Sequence, residues 1–195
     1  TCWSGFGDEF YDNSIATSRW DELEVNGATA SEYGDALRVD VPQGGSGWAQ
    51  AGYVTKTTYP MSNAQVEVNI ADFNELRGMG LCIGLTKLTT SDPQSQSNWY
   101  CIMKDRSNSW VYVQKRVDGG AVATLYSGYA SLTGTLSIKI DGSTIKFYNG
   151  GTQLYSENYA LSSYNCYLYA YTSTNRGSSY YGADTFDNFE YHRLF

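Results

Sequence analysis

Apolar residues in this chain recur at every second position, and no stretch holds a 3.6-residue apolar stripe over more than about two turns. Val66, Val68 and Ile70 alternate with Gln65, Glu67 and Asn69; Leu136, Ile138 and Ile140 alternate with Ser137 and Lys139; Ile145 and Phe147 alternate with Lys146 and Tyr148. Successive side chains of an extended backbone point to opposite faces, so these runs read as strands with one buried side. Turn dipeptides punctuate them at Asn26-Gly27, Asp118-Gly119, Asp141-Gly142 and Asn149-Gly150. The 18 tyrosines and 20 glycines against 3 prolines suit pleated surfaces and tight turns. No linker, charge run or internal repeat divides the chain. The expected fold is all-β: one antiparallel two-sheet sandwich over residues 1–195, with at most a helical turn near Ser14 to Trp20.

Charge and cysteines narrow the function. Thirteen basic against 20 acidic residues give a net charge of −7, which disfavours a nucleic-acid or anionic-membrane partner. Apolar runs fall far short of the roughly 18 residues of a membrane-spanning helix, so no membrane insertion is expected. The sequence begins at Thr1 with no basic-then-apolar leader, which we read as an exported chain already processed. Cys2, Cys82, Cys101 and Cys166 lack CxxC spacing and, with His192 as the single histidine, make no zinc-type set. Disulfides, and with them an oxidising extracellular or cell-surface compartment, are the expectation. Three pairings are open on paper.

The most informative stretch is 77–128. Reading Gly80 to Leu85 against Asn98 to Met103 as antiparallel neighbours lets Cys82 face Cys101, the preferred pair, and sets Gly84 opposite Trp99; a Cys2–Cys166 bridge would tie down the ends, and connectivity beyond Cys82–Cys101 stays open. The next turn would put Met103 beside Trp110, Cys101 beside Tyr112 and Trp99 beside Gln114. Beyond the following Gly-Gly turn, Tyr112 would meet Tyr126 and Gln114 would meet Thr124. One face then carries Leu81, Ile83, Ile102, Val111, Val113 and Leu125 and reads as core. The other carries Trp99, Trp110, Tyr112, Gln114 and Arg116, with glycines leaving backbone uncovered. Flat rings cover the C–H side of a sugar while amide, guanidinium and phenol groups bond its hydroxyls, so a polysaccharide or glycan is the natural ligand of that face. Trp48, after a Gly-rich loop, is placed to close one end, and Tyr167, Tyr169 and Tyr171 line a neighbouring strand as a second ladder, for binding or for assembly.

Catalytic patterns are sparse. One histidine and no Gly-x-Ser-x-Gly elbow give little support to a nucleophilic triad, and no phosphate loop or dinucleotide fingerprint occurs. Glycoside hydrolysis uses two carboxyl groups about 5–10 Å apart, whereas the outward strand positions offer Glu67 alone. No catalytic residue is therefore assigned; a lyase using Tyr112 and Arg116 needs no such pair. Asp8, Asp184 and Asp187 lie near the two ends, and if the first and last strands pair they supply oxygen ligands for a structural calcium ion.

Asp8-Glu9-Phe10 with Ile15 to Trp20, the Gly52-Tyr53-Val54-Thr55-Lys56 strand and the closing Phe186-Asp187-Asn188-Phe189-Glu190 resemble modules of the concanavalin A-like lectin and glucanase superfamily, including its laminin G-like branch. The resemblance spans nearly the whole chain. It implies a jelly roll whose concave side often binds carbohydrate, with calcium at a sheet edge in many members. Hydrolases of that superfamily carry Glu-x-Asp-x-x-Glu or Glu-x-Asp-x-Glu, and Glu67-Val68-Asn69-Ile70-Ala71 has one acid only. The expected function is a non-catalytic, lectin-like carbohydrate-binding module using Trp99, Trp110, Tyr112, Gln114, Arg116 and Trp48. The alternatives are a self-assembling subunit of an extracellular filament or cell-surface layer and, behind it, a polysaccharide lyase or glycoside hydrolase.

Overall fold

Sixteen strands carry the alternation into three dimensions in a computed structural model that describes residues 5–8, 10, 12–177 and 179–194. They are β1 (Gly5–Asp8), β2 (Trp20–Val25), β3 (Thr29–Glu32), β4 (Leu37–Val41), β5 (Trp48–Thr55), β6 (Tyr59–Pro60), β7 (Ala64–Asp72) and β8 (Gly78–Gly84). After a 3₁₀ turn at Pro93–Ser95 follow β9 (Trp99–Asp105), β10 (Trp110–Arg116), β11 (Ala123–Tyr129) and β12 (Gly134–Asp141). The last four are β13 (Thr144–Asn149), β14 (Thr152–Asn158), β15 (Asn165–Asn175) and β16 (Gly182–Arg193).

Two eight-stranded antiparallel sheets result. The first runs β14-β13-β12-β7-β16-β4-β3, with β1 also on β16; the second runs β11-β10-β9-β8-β15-β5-β2, with β6 also on β15. Each sheet gathers strands from distant parts of the chain, as a jelly roll requires. The core lies between the sheets. It takes Val66, Val68, Ile70, Leu136, Ile138 and Phe147 from the first and Leu81, Ile83, Ile102, Val111 and Val113 from the second. Asn26-Gly27 and Asp118-Gly119 have positive φ at both residues (55° and 77°; 50° and 69°), the conformation of tight hairpin turns. The segment around Ser14 to Trp20 forms turns, with Trp20 N–H donating to Ala16 O at 3.0 Å, and no helix.

The expected β8–β9 register is present, with Cys82 opposite Cys101 and Gly84 opposite Trp99. The disulfide joins Cys82 and Cys101 across a Cα separation of 4.1 Å. Cys2 lies outside the described residues, so the Cys2–Cys166 pairing does too; Cys166 is buried, its Sγ 3.3 Å from Tyr159 Oη. The β9–β10 register differs from the sequence reading by two residues, Met103 lying opposite Tyr112 and Trp99 opposite Arg116. A slip of two leaves every side chain on its expected face. Between β10 and β11, Gln114 does meet Thr124, but a bulge at Val113/Gln114 pairs Val113 with Tyr126 and turns the Tyr126 ring against the core.

Candidate functional site

Residues of one parity on β8, β9, β10, β15, β5 and β2 make the outer face of the second sheet. Much of that face is covered. Leu23, Val54, Cys82, Trp99, Cys101, Met103, Tyr169 and Tyr171 form a second apolar cluster, separate from the inter-sheet core. Segment 85–98 holds it down through specific bonds. Tyr169 Oη donates to Thr86 O (2.6 Å) and accepts from Leu88 N–H (2.9 Å), while Gln50 Nε2 donates to Asp92 Oδ2 (3.1 Å). Gln96 fills the space left by the absent side chain of Gly84, where a Cβ would fall 2.3 Å from Gln96 Oε1. That amide accepts from Thr86 N–H (2.9 Å) and donates to Pro93 O (2.8 Å).

This cover corrects three expectations. Trp99 shares the face with Trp110 but is 0% exposed, so its ring is part of the buried cluster and not a ligand platform. Tyr169 and Tyr171 are equally buried, and the proposed tyrosine ladder is no surface. Arg116 is engaged by the chain itself: its guanidinium donates to Gly120 O (2.8 Å), Gly119 O (3.0 Å) and Ser95 O (3.3 Å), tying the 117–120 turn to the covering segment.

Beyond the cover the face opens into a cavity of about 290 Å³ lined by Trp48, Arg77, Gln94, Asp105, Tyr112 and Gln114, with Met103 and Ser173 behind them. Three residues expected from sequence, Trp48, Tyr112 and Gln114, are thus brought together. Trp110 extends the aromatic surface outside the cavity, 38% exposed and with its ring 5.9 Å from that of Tyr112. Arg77 lies over the Trp48 ring, 5.2 Å from its centroid, and its Nε is 3.4 Å from Asp105 Oδ2. Asp105 also accepts from Ser107 N–H (2.8 Å) and Oγ (2.5 Å). Gln114 Nε2 donates to Thr124 Oγ1 (3.1 Å), and Tyr112 Oη accepts from Asn108 Nδ2 (2.6 Å). These bonds orient the polar groups along the cavity rim. Sequence reasoning missed Arg77, Gln94, Asp105 and Ser173. Parity alone marks Asp105 (with 99, 101 and 103) and Ser173 (with 167, 169 and 171); Gln94 sits in the covering segment, where no periodicity applies.

Asp105 is the one carboxylate among the lining residues, and it is held by Arg77 and Ser107. Asp92, within the covering segment, has its carboxyl pushed up by burial, but it is bound to Gln50 and to Gln94 N–H (2.8 Å). Glu67 belongs to the outer face of the first sheet, away from this cavity.

The proposed calcium ligands are not gathered. Asp184, 0% exposed, accepts backbone N–H bonds from Asn74, Glu75 and Leu76 and so caps the loop before β8. Asp8 accepts from Trp20 Nε1 (2.7 Å) and Phe10 N–H (3.1 Å). Asp8 pairs with Phe189, as terminal-strand pairing required, but Asp184 stands opposite Val39 and Asp187 opposite Asn69. The Asp8 and Asp184 carboxylates serve the polypeptide at separate places, and the three residues form no common ligand cluster among the described residues.

Two antiparallel sheets in this order make a jelly-roll sandwich, with an aromatic, polar cavity on the outer face of one sheet. Solved structures agree on the fold. The chain is similar to the endo-β-1,3-glucanase of Pyrococcus furiosus (TM-score 0.74, 9% identity, covering 97% of this chain and 94% of that one). It is similar to β-agarase A of Zobellia galactanivorans (TM-score 0.69, 11% identity, 98% and 92%) and to the β-glucanase of Bacillus licheniformis (TM-score 0.64, 14% identity, 96% and 97%). No protein-family model and no curated protein matches the sequence.

Proposed function

We propose that the chain is a carbohydrate-binding module that takes a polysaccharide in the cavity between Trp48 and Tyr112 and does not cleave it. One observation carries the reading: two aromatic side chains and the polar groups of Arg77, Gln94, Asp105 and Gln114 converge on one open cavity whose lining holds a single carboxylate. Rings supply C–H stacking, and the polar rim supplies bonds that each contribute about 0.5–1.5 kcal/mol net. A cavity near the lower end of the usual range of about 300–1,000 Å³ suits one or a few sugar residues of a longer chain. The Cys82–Cys101 disulfide supports an exported protein.

Hydrolysis is the rival, favoured by the names of the structural relatives, which are glucanases and an agarase. Both hydrolytic geometries need a second carboxyl group facing the first across the bond. The central strands offer Gly80, Cys82, Gly84, Trp99, Cys101 and Met103 in its place. The deciding experiment incubates the purified chain with β-1,3-glucan, mixed-linkage glucan, agarose and mucin-type glycans, and measures retention in affinity gels and new reducing ends together. Retention by at least one polysaccharide without new reducing ends is the expected result. Reducing ends that disappear in Asp105→Asn establish a hydrolase, and absence of both signals removes the carbohydrate reading.

A further inference from the structure

On the opposite side of the molecule, the outer face of the first sheet, the chain brings its single histidine beside two carboxylates that sequence reading could not connect to it. Glu190 and His192 are two residues apart on β16 and so share a face. The cross-strand partner of Glu190 on β7 is Glu67. One ligand atom from each of Glu67, Glu190 and His192 lies within 4.8 Å of the others, and all three residues are partly exposed. His192 Nε2 is 2.5 Å from Glu190 Oε2.

Two features make this more than an acidic patch. Like charges placed directly opposite on neighbouring strands destabilise a sheet, yet among the described residues no ion pair supplies Glu67 with a countercharge. Lys139 on β12 stands opposite Gln65, on the same face, without a salt bridge to Glu67. Second, Glu67 Oε2 is already oriented, accepting from Gln65 Nε2 (2.7 Å) and Ser137 Oγ (3.1 Å), the kind of outer support that ligating carboxylates carry. Glu67 also borders a cavity of about 580 Å³ with Gln65, Thr135, Ser137, Lys139 and Tyr148, which leaves room for further ligands.

We infer that Glu67, Glu190 and His192 form a binding site for a first-row divalent cation of the zinc type. Two oxygens and one imidazole nitrogen are a borderline donor set, better matched to zinc than to calcium, which takes oxygen ligands alone. Tetrahedral bonds of about 2.0–2.2 Å put donors about 3.3–3.5 Å apart. The Glu190–His192 contact of 2.5 Å opens by about 1 Å to reach that spacing, a movement that partly exposed side chains on a fixed sheet make by rotation.

The test uses the full chain, stripped with a chelator and titrated calorimetrically with ZnCl₂ and, in parallel, CaCl₂. One zinc per chain is expected, with affinity falling at least about tenfold in His192→Gln and in the isosteric, partly exposed Glu190→Gln, and unchanged in Trp48→Ala. X-ray absorption of the zinc-loaded protein should show nitrogen and oxygen neighbours and no sulfur. No zinc uptake, uptake unaltered in both variants, calcium bound more tightly than zinc, or sulfur in the coordination shell would each overturn the inference.

Discussion

Arg77 and Trp48 meet across the cavity as cation and ring, 5.2 Å from guanidinium carbon to ring centroid, with Asp105 holding the other side of the guanidinium. Arg77 immediately precedes β8 and Trp48 opens β5, and β15 separates those two strands in the sheet. The tryptophan at the start of β5 is thereby fixed as one wall of the site. The cation covers part of the Trp48 ring, and Tyr112 lines the same cavity.

The two tryptophans expected to act alike separate in experiment. Trp110→Ala, at a 38% exposed position, weakens polysaccharide retention several-fold and leaves stability within about 0.5 kcal/mol. Trp99→Ala empties a buried site and costs about 3–5 kcal/mol in urea unfolding. Equal effects of both on binding, with neither destabilising, contradict the covered face.

Removing the Cys82–Cys101 bridge tests the floor beneath the cover. The bridge closes a loop with sequence separation 19, which in chain-entropy terms is worth about 3 kcal/mol. The Cys82→Ser/Cys101→Ser double variant is expected to remain folded by circular dichroism and to lose about 2–4 kcal/mol in denaturant titration.

Backbone contact sets a second stability prediction. A Cβ on Gly80 would fall 2.2 Å from Ile102 O and 2.6 Å from Met103 Sδ. Gly80→Ala therefore has to part β8 from β9, and a loss of about 1–3 kcal/mol is expected; an unchanged unfolding midpoint contradicts the close approach.

Stability also depends on pH through Glu32. Burial, followed by a hydrogen bond with Asp12 and the charge of the nearby Asp8 carboxyl, pushes its pKa up from 4.5 to about 7. The folded state therefore holds its proton more tightly than the unfolded chain. Its contribution is fully present below about pH 4.5 and is lost as pH rises through about 7. Thermal midpoints should fall across that window in the parent protein and fall less in Glu32→Gln; parallel curves contradict the assignment.

Faces were legible in the sequence and depths were not. Parity correctly grouped Trp99 with Trp110, Tyr112 and Gln114, and survived the two-residue register error between β9 and β10, because only an odd slip reverses a strand. The bulge at Val113/Gln114 is such an odd step, which is why Tyr126 stands opposite Val113 and not opposite Tyr112. Burial of Trp99, Tyr169 and Tyr171 depends on segment 85–98, whose course is set by single hydrogen bonds from Tyr169, Gln50 and Gln96 and leaves no periodic trace. The same holds for Asp184, which reads as a surface acid but caps three backbone N–H groups more than 100 residues away in sequence.

The most direct test of the account is the affinity of a retained polysaccharide for the parent chain and for Trp48→Ala and Tyr112→Ala, measured by affinity electrophoresis. Loss of about 1 kcal/mol or more, a fivefold or greater weakening, in each variant is the predicted result. Retention identical to the parent in both would place the ligand elsewhere and contradict the site.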